Sequence, residues 1–156
     1  MRKAVTRFLS TTLALCMSIS LAVPAGATSP DVSDGDAQPY VDSWDALVEA
    51  VKHGGSVTVV GDVVNDTGSN LNVSKDVTID LQGNLDLGQG HVNVTGRLDI
   101  ESQGSSIVNG TGANGGAFYV ETGAELSLTG VTLQGAESEG YGGSVANYGI
   151  LTLNDV

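Results

Sequence analysis

Short runs that alternate apolar and polar residues recur along this chain in three sets that keep step with one another. The first set comprises VTVV, VTID, LDIE, LSLT and LTLN, which begin at residues 57, 77, 98, 126 and 151, so successive members are 20, 21, 28 and 25 residues apart. A second set, LNV, VNV, FYV and VAN, begins at residues 71, 92, 118 and 145. A looser third set begins at residues 63, 85, 107 and 131. Repetition at such a period is typical of solenoid proteins.

The repeats predict an all-β fold, a right-handed parallel β-helix with three short strands in each coil. An alternating run has one inward and one outward face, and no helical pattern separates the runs as it does in strand–helix–strand units. Crossovers between parallel strands are overwhelmingly right-handed, which gives the expected hand. One inward column is expected to contain Val57, Val77, Leu98, Leu126 and Leu151, and its neighbour Val59, Ile79, Ile100, Leu128 and Leu153. The residues between them are expected to face solvent: Thr58, Thr78, Asp99, Ser127 and Thr152.

One segment, SWDALVEAVKHGG, predicts an α-helix ahead of the first coil. Its apolar residues recur at helical spacing on one face: Trp44, Leu47, Val48 and Val51. Ser43 or Asp42 is placed to cap the first amide groups, and Gly54 is placed to end the helix in a left-handed conformation. We expect the apolar face to cover the N-terminal end of the solenoid core.

The first 27 residues have the three parts of a secretory signal peptide. MRKAVTR is basic, FLSTTLALCMSISLAV is largely apolar and shorter than a membrane span, and Ala25-Gly26-Ala27 is a cleavage site of small residues. We therefore expect a signal peptide over 1–27, a flexible acidic leader over 28–42, and a solenoid domain over 43–156. We also expect the protein to be secreted, with the membrane met only transiently through the signal peptide.

Removal of the signal peptide leaves an acidic chain without cysteine. The remaining chain has three basic and 18 acidic residues, which gives a net charge of −15. It also lacks Cys16, which belongs to the signal peptide. Disulfides therefore do not hold the mature protein together. A surface so acidic repels nucleic acid through Coulomb repulsion, so no nucleic-acid partner is expected.

The repeated text resembles a known kind of surface protein. The stretch GGAFYVETGAELSLTGV from residue 115 matches GGSVANYGILTLNDV from residue 142, with two residues dropped at the turn. This phrase is similar to the β-helix repeats of bacterial surface proteins, namely polymorphic outer-membrane proteins and adhesin-like proteins of gut bacteria. The resemblance covers roughly residues 43–156. It implies a secreted or surface-attached bacterial protein of the pectin lyase fold, and it implies no catalytic residue.

Enzymes also use this fold, and one group of side chains is a candidate catalytic site. Asp80, Asp99 and Glu101 are expected to lie near one another across two coils, with Arg97 close by. Paired carboxylates serve glycoside hydrolysis, and a polysaccharide lyase needs a basic residue near acidic ligands. Solvated surface charge is the preferred interpretation, because a fold does not carry a function by itself.

No catalytic, cofactor-binding or metal-ligating residue is therefore assigned, and no cofactor is expected. GDVVND and NLDL contain oxygen ligands suited to calcium, but the chain has no EF-hand loop. The mature chain has two histidines, of which His53 belongs to a helix end and His91 to a turn.

Three tyrosines are candidates for stacking on sugar rings: Tyr119, Tyr141 and Tyr148. Tyr119 is expected to point outward, because its neighbours Phe118 and Val120 point inward. The preferred interpretation is that these rings shield the edges of coils or stack on the next coil.

The sequence thus predicts an exported bacterial cell-surface module that acts as a non-catalytic adhesive or structural surface. Host or cell-surface glycans or proteins are the expected partners. The alternative is a polysaccharide-active enzyme of the pectate lyase or polygalacturonase type, with its active site mostly beyond residue 156. About four to five coils are expected, and the last coil is incomplete by its own repeat length. Downstream coils of the same chain are therefore a further expected partner.

Overall fold

The runs of the first set form the strands of one parallel sheet. A computed structural model describes residues 38–156, where the chain folds into a parallel β-solenoid, or β-helix, of about four coils. The strands of the first sheet, in order across it, are β1 (Tyr40–Val41), β2 (Gly55–Val59), β5 (Asp76–Leu81), β8 (Arg97–Ser102), β12 (Glu125–Thr129) and β16 (Ile150–Asn154). The signal peptide and most of the proposed leader lie outside the described residues.

The other two sets of runs form two further sheets, so each full coil contributes one strand to each of three sheets. The second sheet contains β3 (Val63–Val64), β6 (Leu85–Asp86), β9 (Ser106–Val108) and β13 (Thr132–Gln134). The third sheet contains β4 (Leu71–Val73), β7 (Val92–Val94), β11 (Phe118–Val120) and β15 (Val145–Asn147). Two short strands, β10 (Thr111–Gly112) and β14 (Glu137–Ser138), pair with each other in the segments that precede β11 and β15. The prediction of a parallel β-helix is confirmed.

The strand registers confirm most of the predicted inward columns. Val77, Leu98, Leu126 and Leu151 are successive partners, as are Ile79, Ile100, Leu128 and Leu153. The third sheet aligns its predicted runs in the same way. In the second sheet Val63, Leu85 and Ile107 are successive partners as predicted, but Leu133 rather than Val131 stands opposite Ile107, a shift of two residues. Along the second of these columns the side chains of the inner coils are buried, whereas Leu153 in the last coil is 49% exposed.

The first coil departs from the predicted register by two residues. Val57 pairs with Ile79 and Val59 with Leu81, while Gly55 stands opposite Val77. Gly54 and Gly55 both have positive φ, 77° and 86°, so the chain leaves the helix and enters β2 at once. A shift by two residues keeps the same side chains inward, because strand side chains alternate with a period of two. The alternating pattern therefore cannot distinguish the two registers.

Thr58 is also placed differently from the prediction. It stands opposite Asp80 rather than Thr78, and it is 4% exposed rather than solvent-facing. Strand β1 runs beside β2 with Tyr40 opposite Thr58, and the Thr58 amide donates to the Pro39 carbonyl at 2.9 Å. Residues assigned to the leader thus extend the first sheet by one strand, which runs outside β2.

The predicted helix is present as α1 (Trp44–His53) and packs on the first coil. Ser43 is the N-cap residue, although its side chain makes no capping hydrogen bond, and Gly54 ends the helix with positive φ. Trp44, Leu47 and Val51 are buried in the same core cluster as the columns of β2 and β4. Full burial of such a side chain contributes about 1.5 to 3 kcal/mol, so α1 stabilises the first coil by covering it.

A chain of hydrogen bonds joins α1 to the first two coils. The Trp44 indole Nε1 donates to Ser69 Oγ at 2.9 Å, and Ser69 Oγ lies 2.7 Å from Thr67 Oγ1. Thr67 Oγ1 donates to Asn65 Oδ1 at 2.8 Å, and Asn65 Nδ2 donates to the carbonyls of Ser69 and Leu87 at 2.8 and 2.9 Å. Asn65 is 3% exposed, so it satisfies buried backbone groups that water does not reach.

Asn65→Ala should destabilise the protein by about 1 to 3 kcal/mol, because it removes these hydrogen bonds and leaves the part-buried Ser69 carbonyl without its donor. Urea unfolding followed by circular dichroism measures the change. The matched control is Asp66→Ala at the adjacent exposed position, expected to change stability by less than about 0.5 kcal/mol. Equal losses in the two variants would contradict the role given to Asn65.

Ile100→Asp should cost about 4 kcal/mol or more, because it places an unpaired carboxylate between Ile79 and Leu128 inside the apolar column. Asp99→Ser on the outer face of the same strand should cost less than about 1 kcal/mol, the usual value of an exposed ion pair. Thermal melts of both variants test the register. Similar losses would show that the assignment of inner and outer faces is wrong.

Candidate functional site

The outward face of the first sheet brings together the charged residues that the sequence singled out. Asp99 lies opposite Thr78, and Glu101 lies opposite Asp80 on the neighbouring strand. Arg97 stands opposite Asp76 on one side and Glu125 on the other. The prediction that these groups are neighbours across two coils is confirmed.

The contacts of Arg97 make it unsuited to act as a base. Its Nε lies 2.9 Å from Asp99 Oδ2 and 4.0 Å from Glu125 Oε2. The hydrogen bond to Asp99 and then the Coulomb attraction of that carboxylate raise the pKa of the Arg97 guanidinium above its ordinary value. A guanidinium held more firmly in its charged form does not take up a proton from a substrate. Arg97 and Asp99 here form a surface ion pair.

A cleft of about 410 Å³ lies beside Asp80 and is lined by Asp80, Leu81, Gln82, Gln103 and Ser105. Gln82 Nε2 donates to Asp80 Oδ2 at 2.7 Å, and Ser105 Oγ donates to the Leu81 carbonyl at 3.0 Å. A glycoside hydrolase site needs two carboxyl groups across the same cleft. Asp80 is the one carboxylate among the residues that line this cleft, so this cleft does not supply that pair. A second cleft is lined by Asp76 and Asp99, and Asp99 is there paired with Arg97.

The oxygen atoms in GDVVND and NLDL hold the coils together. Asp62 Oδ1 accepts from the backbone amide and Nδ2 of Asn84 at 2.8 and 3.0 Å, and Asn84 Oδ1 accepts from the Ser106 amide at 2.9 Å. In a second ladder Asp86 Oδ1 accepts from Asn109 Nδ2 at 2.7 Å. Sequence reasoning missed both ladders, although the spacing of 22 residues from 62 to 84 to 106 equals one coil.

The two histidines of the described chain lie apart from these carboxylates. His53 is at the end of α1, with Nε2 3.4 Å from Glu49 Oε1, and the His91 amide donates to Asn70 Oδ1. Within residues 38–156, no three His, Cys, Asp or Glu side chains are grouped so as to hold a metal ion. The same residues contain no helix long and apolar enough to cross a membrane.

The three tyrosines lie near one another at the last two coils. The ring centroids of Tyr119 and Tyr148 are 5.6 Å apart, with an angle of 50° between the ring planes. Tyr141 and Tyr148 line one cleft of about 410 Å³ together with Gly142, Val145, Ala146 and Asn147. Tyr148 thus packs on Tyr119 of the preceding coil, as expected for stacking between coils. Tyr141 is 78% exposed and Tyr148 is 50% exposed.

The cleft also contains residues that sequence reasoning did not select. Ala146 is buried although it stands beside the outward-facing Tyr119, and Asn147 follows it at the end of β15. Further along the same outward row Asn93 Nδ2 reaches Asn72 Oδ1 at the long distance of 3.5 Å. An apolar floor with a polar rim is common in ligand clefts.

The fold places this chain in the class of parallel β-solenoid proteins. Comparison with protein-family models, with curated proteins and with solved structures gives no match.

Glu101→Gln should stabilise the protein by about 0.2 to 1 kcal/mol, because like charges directly opposite each other on neighbouring strands repel, as Glu101 and Asp80 do. The gain should shrink as salt is raised to about 1 M, where exposed charges are screened. Urea unfolding at both salt concentrations measures it. Glu121→Gln is the control, since Glu121 is an exposed turn residue outside the sheet pairs. A loss of stability in Glu101→Gln would mean that Glu101 makes a favourable contact.

Proposed function

We propose that this protein is an exported bacterial cell-surface module whose solenoid acts as a non-catalytic adhesive or structural surface. The observation that carries the proposal is that inward and outward side chains alternate along each strand and differ in what they do. Inward side chains form continuous buried columns, and outward side chains stand in rows on a scaffold fixed by parallel pairing. Such a scaffold holds surface groups at a constant spacing of about 4.8 Å between coils.

The contacts of the charged groups support a binding or structural role over a catalytic one. Arg97 is paired with Asp99, Asp80 accepts from Gln82, and Asp62 and Asp86 accept from residues of the next coil. Each of these carboxylates is engaged in stabilising the coils or a surface pair. Tyr141 and Tyr148 are among the exposed side chains on this surface.

The sequence at the N-terminus supports export of this module. A basic segment, an apolar run and a site of small residues precede Thr28. The high negative charge keeps the exported chain soluble and disfavours binding to anionic surfaces.

Expression of the complete chain with a C-terminal epitope tag in a bacterial host tests the proposal. We expect intact mass spectrometry to show a protein that begins at Thr28, and we expect the tag outside the cytoplasm, where antibody reaches it on intact cells or in the medium. Ala27→Arg, which replaces a small residue of the cleavage site, is the control and should delay processing. An unprocessed protein confined to the cytoplasm would overturn the proposal.

The purified exported protein, incubated with pectin and polygalacturonate, should release no new reducing ends. Sustained release, abolished by Asp80→Asn or Glu101→Gln, would assign the module to the polysaccharide-active enzymes instead. This result would overturn the non-catalytic role while leaving the export measurement unaffected.

A further inference from the structure

The segment that follows β9 contains an asparagine–glycine pair at a corner of the third coil. Asn109 and Gly110 connect β9 to the short strand β10, and a second such pair, Asn114 and Gly115, follows β10. We propose that Asn109 is a site of spontaneous covalent modification, at which the side-chain amide is lost to give aspartate or isoaspartate. This site is independent of the adhesive or structural role proposed above.

The reaction requires only water and the two residues of the pair, and asparagine is among the thermolabile residues. The Gly110 amide nitrogen loses its proton to hydroxide and forms a bond to Cγ of Asn109. The bond between Cγ and Nδ2 breaks, and the leaving nitrogen takes a proton from water, so that ammonia departs and hydroxide is regenerated. The product of this step is a succinimide ring.

The succinimide ring then takes up one molecule of water, which breaks one of the two bonds between a carbonyl carbon and the ring nitrogen. Cleavage at Cγ gives aspartate with the main chain unchanged. Cleavage at the main-chain carbonyl carbon gives isoaspartate, in which the main chain passes through Cβ and Cγ and is longer than before.

Packing of the corner requires glycine after Asn109. Gly110 has a φ of 94°, and a Cβ atom there would lie 2.6 Å from the Gly116 carbonyl oxygen. No larger residue therefore fits at position 110. Because glycine has no side chain to shield its amide nitrogen, this nitrogen approaches the preceding Cγ with the least hindrance.

The same corner favours asparagine at position 109. Asn109 has a φ of 61°, a left-handed conformation in which asparagine is enriched among residues other than glycine. Its Nδ2 donates to Asp86 Oδ1 of the second coil at 2.7 Å, and its backbone amide donates to the Gln134 carbonyl of the fourth coil at 2.9 Å. The structure of the corner thus accounts for both members of the reactive pair.

The chain around Asn109 is held by hydrogen bonds rather than by burial of large side chains. Residues 109–114 have the sequence NGTGAN, which contains no large apolar residue, and the Asn109 side chain is exposed. The Gly110 amide, which must leave its partner to react, donates to the Gly88 carbonyl at 3.2 Å, the long end of the usual range. Such a segment opens locally at a small cost in free energy, and hydroxide then reaches the pair.

The second pair, Asn114 and Gly115, adjoins the core and is held more firmly. The Tyr141 amide donates to Asn114 Oδ1 at 3.1 Å, and the Gly115 amide donates to the Tyr141 carbonyl at 2.9 Å. Phe118, three residues further along, is fully buried. Opening of this pair disturbs buried side chains, so Asn114 reacts more slowly than Asn109.

Modification of Asn109 removes a link between the second and third coils. The new carboxylate has no donor for Asp86 Oδ1, so two negative charges repel each other where a hydrogen bond of 2.7 Å stood. Isoaspartate also lengthens the main chain at a corner where Gly110 already packs against the Gly116 backbone. Both products weaken the stacking of the two coils, and the modified fraction increases with the age of the protein.

Peptide mapping of the purified exported protein, aged for several weeks at physiological temperature and neutral pH, tests the site. Mass spectrometry with separation of the aspartate and isoaspartate forms measures the modified fraction at each asparagine. We expect Asn109 to react about fivefold or more faster than Asn114, the factor that corresponds to about 1 kcal/mol in the free energy of opening. Asn72 is the internal control, since it is exposed but precedes Val73, and it should stay unmodified.

Two variants test the effect on the coils. Asn109→Asp places one product at the site from the start and should lower the melting temperature by about 2 to 5 °C. Asn109→Gly keeps the left-handed conformation without a new charge and should lower it less. Ageing should lower the melting temperature of the unsubstituted protein in proportion to the modified fraction, and it should leave that of Asn109→Gly unchanged.

Faster modification at Asn114 than at Asn109 would overturn the inference, as would a rate at Asn109 no higher than that at Asn72. A melting temperature of Asn109→Asp equal to that of Asn109→Gly would contradict the repulsion between the coils. Export of the tagged chain is measured separately, so none of these results bears on the proposed function.

Discussion

Parallel strand pairing from coil to coil is the constraint on which the rest of this structure depends. Each strand of the inner coils has its backbone groups satisfied by the coil before and the coil after, so no coil is complete by itself. The pairing also fixes the inward columns, because Ile79, Ile100 and Leu128 pack only when their strands are in register. The same strand register therefore determines both the backbone hydrogen bonds and the burial of the apolar side chains.

The corners of the coils depend on the same stacking distance. At Gly83 a Cβ atom would lie 2.0 Å from the Gly61 carbonyl oxygen of the preceding coil, so no larger residue fits. At other corners, hydrogen bonds from side chains join successive coils where strand pairing is absent. Asp62 accepts hydrogen bonds from Asn84, and Asn84 accepts one from the Ser106 amide. The turns are thus held by short polar ladders at the spacing of one coil.

The sequence allowed the fold to be predicted because a buried column leaves a visible trace. Leu98 and Leu126 are partners in a buried column, so both must be apolar. Their alternation with Asp99 and Ser127 shows which face of each strand points inward. The register of β2 could not be predicted in this way, since a shift by two residues keeps Val57 inward. Strand β1 was missed because two residues after a proline carry too little pattern. The sequence identifies the three tyrosines as candidate side chains. The contact of Tyr148 with Tyr119 could not be predicted from it.

The position of Trp44 has a consequence for how unfolding of this protein is observed. It is the single tryptophan of the chain, and it lies in the helix that covers the first coil. Its fluorescence therefore reports the local environment of the N-terminal cap, whereas far-ultraviolet circular dichroism reports the average of all coils. In a nearly one-dimensional array each coil contacts only its neighbours. A difference between the two unfolding midpoints, measured on one unlabelled sample, would show that the cap and the coils unfold in separate steps.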